Sequence, residues 1–187
     1  MIRAIQEKDF LKMPWKNGRG FTQQIFITPP TASVAANDFD YRISSATVDK
    51  DGEFSLFPGK KRILVAVKGH GFQLNDDVYE KFEVAQFTGD EKIFCALLGG
   101  PVVDLGLIYD ESKVKVNSRV LDLRSPLSFE IEPSTEHFFI IMNGSLNFEG
   151  VSLKELETLY FKNEKLCNLQ TVKRATLLYL SLDRYEK

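Results

Sequence analysis

Two arginines stand in or beside apolar runs, where a side chain turned inward would have to be accommodated by a protein interior. Arg42 lies within Tyr41-Arg42-Ile43-Ser44-Ser45-Ala46-Thr47-Val48, a candidate strand in which it shares a face with Ser44 and Ala46. Arg62 stands at the mouth of the apolar run Ile63 to Val67, just after Phe57-Pro58-Gly59. A guanidinium carried inside a β unit must meet an anion or several carbonyls, because its desolvation is otherwise uncompensated. Such a pair would form a carboxylate site; on a solvent face each arginine would instead make an ordinary salt bridge. A third feature is the loop Met13-Pro14-Trp15-Lys16-Asn17-Gly18, where the single tryptophan stands beside a cation and an amide. Pro- and Gly-bounded loops of that mix bind ligands, or the indole plugs one end of a core.

Other chemistries find less support. The chain has two histidines, His70 and His137, and neither belongs to a His-x-His pair, so each is read as structural rather than as a metal ligand. Asp49-Lys50-Asp51-Gly52 begins like a calcium loop, but its glycine comes too early and its twelfth position is Lys60, so it is read as a turn. There is no Gly-x-Ser-x-Gly elbow. Gly18-Arg19-Gly20 and Gly69-His70-Gly71 lack the third glycine and the following helix of a phosphate loop, and are read as turns. Cys95 sits in the apolar run Ile93 to Leu98 with no electropositive sequence neighbour, and both it and Cys167 are read as reduced thiols.

The elements that must position these residues are short apolar runs bounded by Gly, Pro, Asp and Asn, most too brief for helices, so the chain is expected to be mainly β. Tyr41–Val48 and Ile63 to Val67 are strands, and Lys68-Gly69-His70-Gly71 reverses the chain into Phe72-Gln73-Leu74. Asn75-Asp76-Asp77 reverses it again. Ser152, with Glu155 three positions on and Leu153, Leu156 and Tyr160 at helical spacing, predicts a helix, with a strand as the alternative. Thr176 to Leu182 alternates as a last strand. Sliding the chain against itself by about 75 residues lays Phe54 over Phe129, Pro58 over Pro133, Ile63 to Val67 over Phe138 to Met142 and Gly69 over Gly144. Two copies of one antiparallel barrel or sandwich are implied.

Composition sets the outer bounds. With 187 residues, 43% hydrophobic and 27% charged, the chain can bury a substantial core, and disordered, collagen-like and coiled-coil classes are excluded. A net charge of −2 offers no basic excess for a nucleic-acid partner. The first ten residues carry charges where a secretory apolar core would lie, and no stretch approaches the roughly 18 apolar residues of a membrane span. A cytoplasmic chain with no membrane partner is expected.

In order and spacing, several segments resemble the HutD/Ves family. They are Pro14-Trp15-Lys16-Asn17-Gly18 with Gly20, Thr22 and Ile25; Phe39 with Tyr41-Arg42-Ile43-Ser44; Asp51-Gly52 with Phe54-Ser55; and Phe57-Pro58-Gly59 with Arg62. Phe87, Gly89-Asp90 and Gly100-Pro101-Val102 with Asp104 complete the match over about residues 13 to 104. The resemblance implies a bicupin, two RmlC-like jelly-roll barrels packed as one compact unit over 1–187, with halves at about 1–110 and 111–187. It also implies association with bacterial histidine utilisation, a pocket for a formylated or formimino glutamate-like acid, and no established catalytic activity, metal or cofactor. Carried over by position, the pocket residues are Trp15 as an apolar wall, Asn17 for an amide or formyl group, Arg42 or Arg62 for the carboxylate, and Asp104. The chain departs from the family pattern at Arg19 and in Leu105-Gly106-Leu107-Ile108-Tyr109-Asp110-Glu111, where an asparagine usually stands two places after the aspartate and basic residues follow.

Three functions are therefore weighed. The first is metal-independent binding of a small anionic metabolite with a regulatory role; the second is a metal-independent isomerase or lyase using Asp104 or His70 as base. The third is an interaction protein with a vestigial pocket, its sign being Trp15 packed on Arg42. Edge strands make a homodimer plausible.

Overall fold

The computed structural model describes residues 1–14, 21–133, 135–164, 166–171 and 174–185. Among these the chain forms nineteen strands and one short 3-10 turn, Glu7–Asp9. The strands are β1 (Ile2–Ile5), β2 (Leu11–Pro14), β3 (Phe21–Thr28), β4 (Tyr41–Val48), β5 (Gly52–Glu53), β6 (Lys61–Lys68) and β7 (Gly71–Leu74). They continue with β8 (Asp77–Glu80), β9 (Val84–Thr88), β10 (Phe94–Leu97), β11 (Val102–Tyr109), β12 (Val114–Leu123) and β13 (Leu127–Glu130). The last are β14 (Glu136–Asn143), β15 (Leu146–Phe148), β16 (Val151–Leu153), β17 (Thr158–Lys162), β18 (Leu166–Thr171) and β19 (Ala175–Arg184). No described helix is long and apolar enough to cross a membrane.

Two compact units result, Phe10–Glu111 and Met1–Asp9 with Ser112–Lys187. Residues 1–9, which sequence grouped with the first half, pair instead with the second, because β1 lies antiparallel to β17 with Ile2 opposite Phe161. The Phe10–Glu111 unit sets a six-stranded sheet, β2-β3-β4-β11-β6-β9, against a four-stranded sheet, β5-β10-β7-β8. Leu64, Ala66, Ala85 and Val102 from the first meet Phe72, Leu74 and Cys95 from the second in one apolar cluster. The other unit sets β1-β17-β14-β19-β12 against β13-β18-β15-β16, around Phe139, Ile141, Leu146, Leu159, Phe161 and Leu177. All four sheets are open in this hydrogen bonding.

The internal echo is a repeat of topology. The order β4-β11-β6-β9 recurs as β12-β19-β14-β17, and β5-β10-β7-β8 recurs as β13-β18-β15-β16. Even the irregularities recur. The β6–β11 ladder skips Val67 and the β14–β19 ladder skips Met142, and the strand then turns at Gly69 (φ 88°) or Gly144 (φ 85°). Further on, Phe82 (φ 71°) donates its N–H to the Ala66 carbonyl at 3.0 Å, as Leu156 (φ 68°) does to the Ile141 carbonyl at 2.7 Å.

That second turn occupies the segment expected to be helical. β16 ends at Leu153, and Thr158 opens β17, whose Leu159 and Phe161 enter the core. Here the period is two, not 3.6, and tertiary burial overrides the local helical spacing. The carboxylate that closes the turn is Glu157 rather than Glu155. Its Oε2 accepts from the Lys154 N–H and its Oε1 from the Glu7 N–H, each at 3.0 Å.

Alanine at either repeated glycine should be destabilising. A Cβ would lie 2.6 Å from the Pro101 carbonyl oxygen at Gly69 and 2.5 Å from that of Arg174 at Gly144, both in a left-handed backbone. Gly69→Ala and Gly144→Ala are each expected to lower unfolding free energy by about 1–3 kcal/mol. Urea denaturation at equilibrium checks this, and an unchanged midpoint for either would contradict it.

Candidate functional site

The site forms on one face of the six-stranded sheet. Across β11, Ile108 pairs with Arg42 on β4 and with Arg62 on β6, so the two arginines flank one residue and their Cα atoms lie about 10 Å apart. Asp104 pairs with Ala46 and Ala66, and Gly106 with Ser44 and Leu64. Side chains alternate along each strand, so Arg42, Arg62 and Asp104 share the face that carries Leu64, Ala66 and Ala85 into the core cluster. Both arginines therefore lie on the inward face, one of the two placements that the sequence left open.

Each guanidinium is held by neutral groups. Arg42 is 5% exposed; its Nε–H donates to Gln24 Oε1 at 2.9 Å, and its Nη2 stands 3.6 Å from Met13 Sδ. Arg62 donates from Nη1 to the Ser55 carbonyl at 3.2 Å. Its Cζ sits 4.9, 5.1 and 5.6 Å from the ring centroids of Phe87, Phe54 and Phe57, a three-sided aromatic box. Among the described residues, neither arginine has a carboxylate oxygen within ion-pair distance.

Burial without a paired anion shows in the titration of all three groups. Desolvation lowers Arg42 to about 10 against an opposing pull from Asp104, and lowers Arg62 to about 10 with the like charge of Arg42 adding to the fall. Desolvation raises Asp104 to about 6, although the Ala46 N–H donates to its Oδ1 at 2.8 Å and both arginines favour its charge. Nearby, Ser45 Oγ donates to the Asp104 carbonyl at 2.5 Å, fixing β11 against β4. A cleft of about 590 Å³ opens at Arg62 and Phe87, with Leu74, Tyr79, Asp77 and Tyr109 among its other walls.

Trp15 and Asn17 lie outside the described residues, as does the loop that carries them. The structure thus brings together three of the five expected residues. Gln24, Met13 and the three phenylalanines carried no assigned role in the sequence; only Phe54 and Phe57, closely preceding Arg62, gave a signal. The family departure two places after Asp104 is Gly106, which faces the same interior.

His137 is structural. Its Nε2 donates to the Glu132 carbonyl at 3.0 Å and its Nδ1 lies in hydrogen-bond contact with the Tyr179 hydroxyl, also at 3.0 Å, so both ring nitrogens are partnered. His70 is exposed. The Cys95 thiol is buried and pushed up to about 11, first by desolvation and then by Asp104 and Asp51, which leaves it protonated at neutral pH. Among the described residues no three His, Cys, Asp or Glu side chains converge as a metal site.

The other unit carries different residues at the matching positions. Ser181 is flanked by Asn117 and His137 where Ile108 is flanked by Arg42 and Arg62. Leu177 stands for Asp104, and Tyr179 for Gly106. The Tyr179 ring stacks on Phe139 at 4.8 Å and fills that interior.

Comparison with known proteins assigns the family. The family model described as HutD matches residues 7–179. The chain belongs to the HutD family. It is 31% identical over 131 residues to an uncharacterised 21.2 kDa protein in the hutC 3′ region of Pseudomonas putida, covering 67% of each chain. It is 32% identical over 123 residues to protein Ves of Citrobacter koseri, covering 61% of this chain and 62% of that one. Among solved structures, a conserved protein of unknown function from Pseudomonas aeruginosa PAO1 matches at 26% identity and TM-score 0.84, with 98% and 99% of the chains covered. HutD from Pseudomonas fluorescens SBW25 matches at 24% identity and TM-score 0.76 over the whole of both chains. This HutD-family chain also shares its fold with the bacterial pirin YhhW of Escherichia coli, at 8% identity, TM-score 0.71 and 99% and 100% coverage, a cupin-like β architecture.

Asp104 gives a pH prediction. Its carboxyl titrates at about 6 in the folded chain against 3.8 normally, so the folded state holds a proton that the unfolded state releases first. Its stabilising contribution is complete below about pH 4 and is lost as pH rises through about 6. Asp104→Asn keeps an oxygen acceptor for the Ala46 N–H and removes the titration. Relative to that variant, the wild type should lose stability steadily from pH 4 to 6, measured as urea unfolding free energy at fixed pH; parallel curves would contradict the assignment.

Proposed function

We propose that this protein binds a small carboxylate in the interior of its Phe10–Glu111 unit without a metal, and acts by lowering free ligand or by presenting a ligand-dependent surface. The observation that supports this most is the pair of inward guanidinium groups with no carboxylate in contact. Two cations face one carboxyl whose own charge is disfavoured, so the interior is short of negative charge, and a ligand carboxylate would supply it through bidentate, charge-assisted hydrogen bonds. The aromatic box leaves most of the Arg62 donors available while holding the group in one place.

The finer form of the proposal is a formylglutamate-like acid tied to histidine utilisation, which accords with the HutD family and with the hutC-region location of the Pseudomonas putida relative. In it, Trp15 supplies an apolar wall and Asn17 bonds the formyl group, and each unit is one half of a bicupin. A second reading rests on Asp104 alone. A carboxyl near pH 6 beside two cations has the proton affinity of a general acid or base, which would make the site a metal-independent isomerase or lyase. Appearance of deuterium at the α-carbon of a bound acid in D2O, followed by proton NMR, would favour that reading.

Calorimetric titration of chelator-treated protein with N-formylglutamate tests the binding function, with formamide as uncharged control. Saturable heat with the acid alone is expected. Arg42→Ala and Arg62→Ala should each weaken it at least about tenfold, since a hydrogen bond to a charged group contributes about 1.5–3 kcal/mol. Absence of heat with the wild type, or undiminished affinity in both variants, would remove this function.

A further inference from the structure

Lys60 is the buried cation that the carboxylate site does not use. It is 6% exposed, and its Nζ donates to the Phe39 carbonyl at 2.9 Å and to Asp110 Oδ2 at 3.1 Å while standing 5.2 Å above the Phe39 ring. These partners belong to the segments that carry the arginines. Phe39 precedes β4 with Arg42, Asp110 follows β11 with Ile108, and Lys60 itself precedes β6 with Arg62. The backbone repeats the tie, since the Asp110 N–H donates to the Asp40 carbonyl at 2.8 Å and the Lys60 N–H to the Phe57 carbonyl at 3.1 Å.

A continuous set of contacts runs from this ammonium to Arg62. The Phe39 ring meets Phe57 edge-on at 6.2 Å, and Phe57 forms one wall of the box at 5.6 Å from the guanidinium. Gly59, between Phe57 and Lys60, donates its N–H to Asp90 at 3.0 Å, which holds the intervening turn. Three strand ends and one box wall thus converge on a single desolvated charge. We infer that Lys60 is a positioning residue for the Arg42–Arg62 pair, setting the spacing of the strand ends that bear them and the seat of Phe57 against Arg62. A group fixed this way is preorganised, and preorganisation of a donor pair is what converts a charged lining into ligand affinity.

The inference rests on the carboxylate proposal above, and its test separates the two. In 15N-labelled protein the Arg62 Nε–Hε resonance should be displaced from the free-arginine position by the ring currents of three phenylalanines. Lys60→Met should move it back toward that position and weaken N-formylglutamate binding about tenfold. Asp110→Asn, which removes the ion pair and leaves the three rings of the box in place, should do the same and serves if Lys60→Met does not fold. Gly69→Ala, destabilising in the same unit, should leave the resonance in place, which separates positioning from loss of stability. An unmoved Arg62 resonance in Lys60→Met, or in Asp110→Asn where Lys60→Met does not fold, would overturn the inference, as would a moved resonance with unchanged affinity. A moved resonance in a protein whose wild type binds no N-formylglutamate would support the positioning of Arg62 and overturn the carboxylate function instead.

Discussion

Two guanidinium groups on one sheet face, Arg42 buried and Arg62 half-buried, with no carboxylate among the described residues in ion-pair contact, are the constraint that shapes the Phe10–Glu111 unit. A buried unpaired cation is among the most expensive features a domain can keep. The unit meets that demand without an ion pair. It offers an amide oxygen and a sulfur to Arg42, and one carbonyl and three aromatic faces to Arg62. Each partner is uncharged, so none satisfies the cation fully. Asp104 shares the face, and burial holds its proton to about pH 6 because desolvation outweighs the Ala46 hydrogen bond and the attraction of both arginines.

The same scaffold meets the opposite demand in the other unit. Strand order, bulge position and the left-handed residue at each turn coincide between the two, so the backbone is indifferent to what fills it. Interior chemistry is set at a few register positions. At Gly106 the place of a Cβ is met by Leu64 Cδ1 at 3.3 Å; tyrosine at the matching position packs on Phe139 and hydrogen-bonds a histidine.

Much of this was legible in the residues, and the parts that were not share a cause. Tyr41–Val48 reads as a strand because its short apolar run ends in an Asp-Gly turn, and parity puts Arg42 on one face with Ser44 and Ala46 without saying which face is inward. The repeat was visible because glycine turns and a proline are punctuation that sequence records directly. The segment after Ser152 misled, because a capping pattern and leucine spacing are local signals, and burial of Leu153, Leu159 and Phe161 in one core is not. Lys60 gave no signal for the same reason. Lysine is by default a solvated residue, and only the convergence of Phe39 and Asp110, distant in sequence, makes it an interior one. The aromatic box shows both limits at once: Phe54 and Phe57 lie near Arg62 in the chain, while Phe87 arrives through the β6–β9 pairing.

Pairing of β1 with β17 has a consequence for how the chain is made. Residues near the N-terminus complete a sheet whose partner strand, Thr158–Lys162, is synthesised some 150 residues later. Until then Ile2–Ile5 must wait with its backbone unpaired, while the intervening Phe10–Glu111 unit has all its strands available and can condense first. In sequence, one contiguous unit is thus inserted within a discontinuous one. Cutting between Glu111 and Ser112 would therefore leave the Phe10–Glu111 unit whole and the other incomplete, because the C-terminal fragment would leave its edge strand behind on the other piece.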